Sequence, residues 1–94
     1  MNKKMERLNF IEAVSALKVL TKPDNPNPYV IDLDMDERPF MSRTGVHQRR
    51  IALCKWCLYD VRVTDFEGHH NVWSDPYSPF IEDVIAQDWE VWTC

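Results

Sequence analysis

The stretch from Val72 to Trp92 reads V-W-S-D-P-Y-S-P-F-I-E-D-V-I-A-Q-D-W-E-V-W and points to the fold class. Ser78 can cap a helix, and Pro79 suits the first helical position. Apolar residues then recur at helical spacing and predict a short helix whose buried stripe is Phe80, Ile81, Val84 and Ile85. Asp88 ends this helix, and the alternation from Trp89 to Thr93 predicts a strand.

A second helix is predicted near residues 9–21. Asn9, followed three residues later by Glu12, resembles a capping box. Phe10, Val14 and Leu17 recur at helical spacing and would form the buried stripe. The prolines that begin at position 23 end the helix, because proline lacks the N–H that a helix needs.

The remaining apolar runs predict strands. Arg50 to Val63 reads as one extended run, Asp65 to Gly68 as a turn, and Asn71 to Trp73 as the returning strand. Tyr29 to Leu33 is a further short run. We therefore predict a single α+β domain over residues 1–94, with an N-terminal helix and a short C-terminal helix packed on an antiparallel sheet of four or five strands.

Composition limits the partners. Of the 94 residues, 45% are hydrophobic and 12% aromatic, which is more than so small a core hides easily and favours a homo-oligomer over a monomer. The net charge of −4 argues against DNA binding, which needs a basic face. No run approaches the roughly 20 apolar residues of a membrane span. We expect a soluble protein located in the cytoplasm.

The cysteines and histidines are candidate sites for chemistry. Cys54 and Cys57 have metal-knuckle spacing, but in one extended strand they would point to opposite faces, which favours packed thiols over zinc. Three cysteines cannot all pair within one chain, which agrees with a reducing compartment. His47, His69 and His70 read as loop histidines, since no nucleophile setting accompanies them. We expect no catalytic residues, metal or cofactor.

Aromatic residues combined with arginines are better candidates for a binding site than the cysteines and histidines are. Aromatic rings stack on bases, and guanidinium groups hold phosphates. The same residue types are also enriched at protein–protein interfaces, so both readings stay open. The residues concerned are Phe10, Tyr29, Trp56, Trp73 and Trp92 with Arg43, Arg49, Arg50 and Arg62.

The segment from Leu58 to Val91 resembles the phage-encoded Thoeris anti-defence proteins of the second type. The resemblance rests on Gly68, on Val72-Trp73-Ser74, on Asp83 and on Ala86-Gln87-Asp88-Trp89-Glu90-Val91. Leu8 to Val14, with Ala16-Leu17-Lys18, is similar to the opening helix of that family.

The resemblance implies a sponge, which is a non-enzymatic homo-oligomer, commonly a tetramer, that sequesters a cyclic ADP-ribose-type signal or a cyclic oligonucleotide between subunits. It implies stacking or wall-forming roles for Phe10, Trp73 and Trp89, a ribose contact for Asp75 and a phosphate contact for Arg62. The family usually follows its first helix with a glycine, basic residues and an Arg-x-x-Trp-like stretch, which residues 21–28 lack. Either Tyr29 takes the place of that stretch in the wall of the ligand pocket, or the ligand differs.

Two other function classes remain open. One is a phage inhibitor that binds a host defence protein directly through an acidic or aromatic surface. The other is an enzyme that degrades the signal through His69 or His70. A sponge would return its ligand intact, an inhibitor would ignore nucleotides, and an enzyme would turn its ligand over.

Overall fold

A computed structural model describes residues 1–22, 35–45 and 49–93. Within these ranges the chain forms one antiparallel sheet of six strands in the order β1-β6-β2-β3-β4-β5. Two helices and one turn of 3₁₀ helix, Met35–Glu37, accompany it. The elements are β1 (Asn2–Leu8), α1 (Phe10–Leu20), β2 (Phe40–Arg43), β3 (Arg50–Cys54), β4 (Cys57–Phe66), β5 (His69–Pro76), α2 (Ile81–Ile85) and β6 (Trp89–Thr93).

The predicted fold class, with an N-terminal helix on four or five strands, is therefore wrong in two respects. The described sheet has six strands, and the first described element is strand β1 rather than a helix. The predicted strand from Tyr29 to Leu33 lies outside the described residues. Strands, with helices added on one side, dominate the architecture.

Strand β1 escaped prediction because its sequence lacks a strand pattern. It reads N-K-K-M-E-R-L, with charged residues pointing to both faces. Its pairing with β6 is interrupted twice, between Lys3 and Met5 and between Met5 and Leu8. Arg7 takes a φ of 57°, which is typical of a bulge. Leu8 alone of the strand is buried, and pairing with β6 rather than local propensity holds β1 in place.

The predicted single strand from Arg50 to Val63 is in fact a hairpin. Lys55 and Trp56 form a two-residue turn between β3 and β4, with φ values of 49° and 70°. Such turns normally use glycine, asparagine or aspartate, which tolerate positive φ. Lys55 and Trp56 are not among these residue types, so the sequence does not mark the turn. The reversal brings Cys54 and Cys57 opposite each other instead of placing them on opposite faces.

Helix α1 confirms the predicted capping box. The Asn9 side chain accepts a hydrogen bond from the Glu12 backbone N–H at 2.8 Å, and the Glu12 carboxylate accepts one from the Asn9 N–H at 3.0 Å. Ala13 and Leu17 are fully buried against the sheet. With 11 residues it is the longest described helix, and no helix in the described ranges has the length and apolar character that crossing a bilayer requires.

The sheet has a core on each face. The face covered by α1 and α2, here called the helix face, carries seven buried residues: Leu8, Ala13, Leu17, Met41, Ile51, Trp89 and Val91. The opposite face carries a smaller cluster of Phe40, Ala52 and Val61, flanked by Met35, Tyr59, Val63 and Trp92. Strand residues alternate between the two cores, so β2, β3 and β6 are buried on both sides.

Helix α2 turns towards the sheet the side opposite to the one that its sequence predicts. It starts at Ile81, with Phe80 as N-cap and no side-chain capping bond, so the predicted cap at Ser78 is wrong. Its only buried residue is Asp83. The four residues of the predicted buried stripe, here called the α2 stripe, are instead exposed: Phe80, Ile81, Val84 and Ile85.

Candidate functional site

The candidate site lies on the helix face of the β4–β5 hairpin, at the open edge of the sheet. Arg62 on β4 is the direct cross-strand partner of Trp73 on β5, and the next pair on the same face is Asp60 with Asp75. Successive pairs on one face lie about 7 Å apart along a strand. We call these four residues the hairpin patch. It combines an aromatic ring, a guanidinium group and two carboxylates.

The turn at Glu67-Gly68 sets this arrangement. Glu67 and Gly68 have φ values of 49° and 78°, and β4 and β5 pair without interruption from Phe66–His69 to Tyr59–Pro76. Glycine takes a positive φ at little cost, which suits it to the second turn position. Because a two-residue turn defines the register, it places Arg62 directly across from Trp73.

Exposure makes the hairpin patch available to a ligand. Trp73 is 53% exposed, and Arg62 and Asp75 are also exposed. Arg62 forms no ion pair within the described ranges of the chain. An exposed tryptophan beside a guanidinium group without an ionic partner offers stacking and anion contact at one place.

Asp60 joins the hairpin patch to the body of the protein. Its Oδ2 accepts a hydrogen bond from Arg49 Nε at 3.0 Å. Its Oδ1 is enclosed and has no hydrogen-bond partner among the described residues. Asp75 lies directly opposite, and like charges at paired positions repel. The positive charge of Arg49 therefore offsets the repulsion between the Asp60 and Asp75 carboxylates.

Asp83 of α2 is the second anchor of this region. Tyr77 Oη donates a hydrogen bond to Asp83 Oδ2 at 2.8 Å, and Arg43 Nη1 donates one to Oδ1 at 3.5 Å. The carbonyl oxygen of Asp83 accepts a hydrogen bond from Trp89 Nε1 at 2.9 Å. Burial and the hydrogen bond to Asp83 raise the pKa of Tyr77 well above its ordinary range, so the phenol keeps the proton that it donates. Asp83 therefore holds α2 on the sheet by polar contacts.

Arg49 links the patch to the exposed stripe. Its Nη1 lies 3.8 Å from Asp83 Oδ2, and its guanidinium carbon lies 5.5 Å from the Tyr77 ring centroid and 5.8 Å from that of Phe80. Phe80 belongs to the α2 stripe. Arg49 thus contacts both the hairpin patch, through Asp60, and the α2 stripe, through Phe80.

The predicted ligand-binding residues fall into two groups. Arg62, Trp73 and Asp75 come together on the hairpin patch. Phe10 and Trp89 pack against each other in the helix-face core, with ring centroids 5.7 Å apart. Trp89 is only 1% exposed and its indole N–H is occupied, whereas Phe10 is half-buried. Trp89 contacts α2 through its hydrogen bond to the Asp83 carbonyl oxygen.

The sixth predicted residue, Tyr29, lies outside the described residues, as does His47. Sequence reasoning did not name Asp60 or Tyr77 for the site, and it named Arg49 only among the arginines that could hold a phosphate. Asp60 had a visible signal, because a carboxylate in the apolar run L-Y-D-V-R needs a partner once it is buried.

The other histidines lie at the tip of the hairpin. His70 Nδ1 is 2.6 Å from Asp65 Oδ1, and His70 Nε2 is 2.7 Å from Asp36 Oδ2. The hydrogen bonds to Asp36 and Asp65 raise the pKa of His70 above its ordinary value. Both ring nitrogens are engaged by carboxylates, so His70 ties the 3₁₀ helix to the hairpin. Within the described ranges, no group of three or more His, Cys, Asp or Glu side chains is arranged to hold a metal ion.

An apolar groove of about 660 Å³ opens elsewhere, between β1 and α1. Its lining includes Met5, Ile11, Val19 and Leu20, with Lys4 and Glu12 also contributing. It lacks aromatic rings and arginines, so the hairpin patch remains the better candidate for a charged ligand.

Comparison with known proteins adds no relative: no protein-family model, no curated protein and no solved structure matches this chain.

Proposed function

We propose that this protein is a phage anti-defence sponge. It binds a cyclic ADP-ribose-type signal or a cyclic oligonucleotide in the cytoplasm of an infected bacterial host and holds it without cleavage. The proposal rests on the resemblance described above and on the chemistry of the hairpin patch. The observation that carries it is the pairing of exposed Trp73 with exposed Arg62.

Each part of the hairpin patch suits one part of such a ligand. The Trp73 ring supplies a stacking surface for a base, an interaction worth about 1–3 kcal/mol per base. Arg62 supplies donors for a phosphate. The Asp75 carboxylate accepts hydrogen bonds from ribose hydroxyl groups. Two pairs spaced about 7 Å apart along the strands match the spread of these groups over one nucleotide unit.

A second copy of the chain completes the site in this proposal. The α2 stripe exposes four large apolar side chains beside the patch, and water contact with such a surface is unfavourable. Contact between α2 stripes of neighbouring subunits would bury them and would bring two hairpin patches towards one another. The ligand would then lie between subunits of a dimer or tetramer.

An uptake-and-release experiment tests the proposal. Purified protein is mixed with cyclic ADP-ribose isomers, cyclic dinucleotides, cyclic trinucleotides and ADP-ribose, and unbound ligand is removed by ultrafiltration. Heat then denatures the protein, and chromatography identifies what is released. We expect one cyclic species to be retained stoichiometrically and returned intact.

Two tryptophan variants make the experiment specific. Trp73→Ala should lose retention at least tenfold, since about 1.4 kcal/mol of lost stacking is a factor of ten in affinity. Trp56→Ala is the matched control, because Trp56 is 79% exposed but lies at the other hairpin turn. Equal retention by both variants would rule out the hairpin patch. Recovery of a cleaved ligand would favour the catalytic reading, to be tested with His69→Asn and His70→Asn.

A second function, direct inhibition of a host defence protein, is favoured by the exposure of the α2 stripe. Such a stripe can receive a foreign protein as well as a second copy. Ile81→Glu with Ile85→Glu separates the two. The sponge should become smaller by light scattering and lose ligand retention. A direct inhibitor should lose its host partner while its own mass and its indifference to nucleotides stay unchanged.

A further inference from the structure

The tip of the β3–β4 hairpin places two thiols side by side. Cys54 ends β3, Cys57 begins β4, and the two are direct partners in the sheet register. Side chains of register partners project from the same face of an antiparallel pair. Only Lys55 and Trp56 separate them along the chain. The sequence pattern alone had placed these thiols on opposite faces.

The geometry of such a pair is that of a disulfide. Directly opposed residues in antiparallel strands have Cα atoms roughly 4.5–5.5 Å apart. A disulfide requires Cα atoms about 4.4–6.8 Å apart and side chains directed towards each other. Cys54 and Cys57 are both free thiols in this structure, and as register partners they fall within the Cα range that a disulfide spans.

We propose that Cys54 and Cys57 form a dithiol site that exchanges reversibly with small-molecule disulfides such as oxidised glutathione. Cys57 is exposed and Cys54 is half-buried, so Cys57 meets the small molecule first. Its thiolate attacks one sulfur of the glutathione disulfide, which breaks the S–S bond and releases one glutathione thiolate. Cys57 is then held in a mixed disulfide.

Cys54 completes the reaction. Its thiolate attacks the Cys57 sulfur, forms the Cys54–Cys57 bond and releases the second glutathione thiolate. Two protein thiols are oxidised, one glutathione disulfide is reduced to two thiols, and the two protein thiol protons end on the released glutathione. An excess of reduced glutathione drives the same steps backwards.

The turn between the two cysteines supports this role. Lys55 and Trp56 both take left-handed backbone conformations, which are unfavourable for residues other than glycine. Lys18 of α1 lies over the Trp56 ring, with Nζ 5.0 Å from its centroid, and joins the turn to the body of the protein. A strained turn between reactive groups is typical of functional sites. The disulfide would link the two ends of the turn, and its formation does not depend on the proposed binding of a nucleotide.

Tryptic digestion under non-reducing conditions tests the proposal. Trypsin cleaves after Arg50, Lys55 and Arg62, so Cys54 falls in peptide 51–55, Cys57 in peptide 56–62 and Cys94 in peptide 63–94. The folded protein is equilibrated with oxidised and reduced glutathione at ratios from 1:100 to 100:1, and the thiols are quenched by acid. We expect a linked pair of peptides 51–55 and 56–62, two hydrogens lighter than their sum, which dithiothreitol separates.

Single variants and unfolding provide the controls. Cys54→Ser should accumulate a glutathione adduct on peptide 56–62, whereas Cys57→Ser should leave peptide 51–55 mostly unmodified. In concentrated urea the disulfide-to-dithiol ratio should fall at least about threefold, because the fold no longer holds the thiols together. Three results would overturn the proposal: stable adducts without a linked pair, linkage only through Cys94, or reduced protein that retains zinc bound to these two cysteines.

Discussion

Trp89 and Trp73 belong to the same sheet but to regions with opposite roles. Trp89 lies on β6, between two other strands, with its ring packed on Phe10 and its N–H bonded to Asp83. Trp73 lies on the edge strand β5, where all eight residues are exposed. One indole is 1% exposed and the other 53%. Position in the sheet, rather than residue type, separates a tryptophan buried in the core from one that is exposed to solvent.

The polar groups around the two indole rings also differ. Near Trp89, Asp83 has its donors in place and holds α2 against the core. Near Trp73, Arg62 and the Asp60 Oδ1 atom lack ionic or hydrogen-bond partners among the described residues. Near Trp89, donors of the protein itself therefore occupy the Asp83 carboxylate, whereas near Trp73 the Arg62 guanidinium is exposed to solvent.

The largest expected effect comes from Trp89→Ala. Removing a fully buried tryptophan leaves a cavity and typically costs 3–5 kcal/mol, about a third to a half of the stability of a small domain. Urea unfolding monitored by circular dichroism measures this. Trp73→Ala is the comparison, with an expected loss below about 1 kcal/mol because its ring is half exposed. Similar losses for the two variants would break the distinction between the regions.

Asp83→Ala should have the next largest effect. It leaves the half-buried Tyr77 hydroxyl without its acceptor, whereas Arg43 keeps its two contacts with Asp88. We expect a loss of about 1–3 kcal/mol in the free energy of unfolding. Glu82→Ala is the matched control on the exposed side of α2 and should change it by less than about 0.5 kcal/mol. A neutral Asp83→Ala would mean that the α2 stripe, rather than this carboxylate, positions the helix.

The smallest expected effect is a pH dependence at the hairpin tip. Hydrogen bonds to Asp36 and Asp65 raise the folded-state pKa of His70, so its stabilising contribution is fully present below its unfolded pKa, about 6.5. The contribution is lost as the pH rises through the higher folded-state pKa. The melting temperature of wild type should therefore exceed that of His70→Asn at pH 6, and the gap should narrow as the pH rises through the folded-state pKa of His70.

His69→Asn is the control for that titration, because His69 is an exposed neighbour on the same strand. It should not reproduce the loss in melting temperature that His70→Asn shows at pH 6, because the hydrogen bonds to Asp36 and Asp65 belong to His70. A gap for His70→Asn that widens as the pH rises would contradict the bridging of the two carboxylates by an imidazolium.

Local signals in the sequence predicted part of the fold. Helix α1 followed from Asn9 and Glu12, and the strand from Trp89 to Thr93 followed from alternation. Strand β1 could not be predicted, because charged residues lie on both of its faces and its order comes from pairing with β6. The turn at Lys55-Trp56 lacks the residues that mark such turns. Periodicity identified α2 but not which of its sides faces the core.

The candidate site was more predictable than its ligand. Arg62 lies five residues before Glu67 and Trp73 five residues after Gly68, so the turn alone implies that they pair. Asp60 and Asp75 follow from the same register. The contributions of Arg49 and Tyr77 depend on how β3 and the segment before α2 meet in space, which local patterns do not contain.

The most direct test of the account is the thermal stability of wild type and Trp73→Ala with and without the retained cyclic nucleotide. Ligand at 100 times its dissociation constant should stabilise wild type by about 2.7 kcal/mol. Trp73→Ala should melt within a few degrees of wild type without ligand, and the same ligand concentration should stabilise it by about half as much or less, because its affinity is at least tenfold lower. A full ligand shift in Trp73→Ala, or no shift in wild type with any nucleotide tested, would contradict the proposal that this edge hairpin binds the ligand.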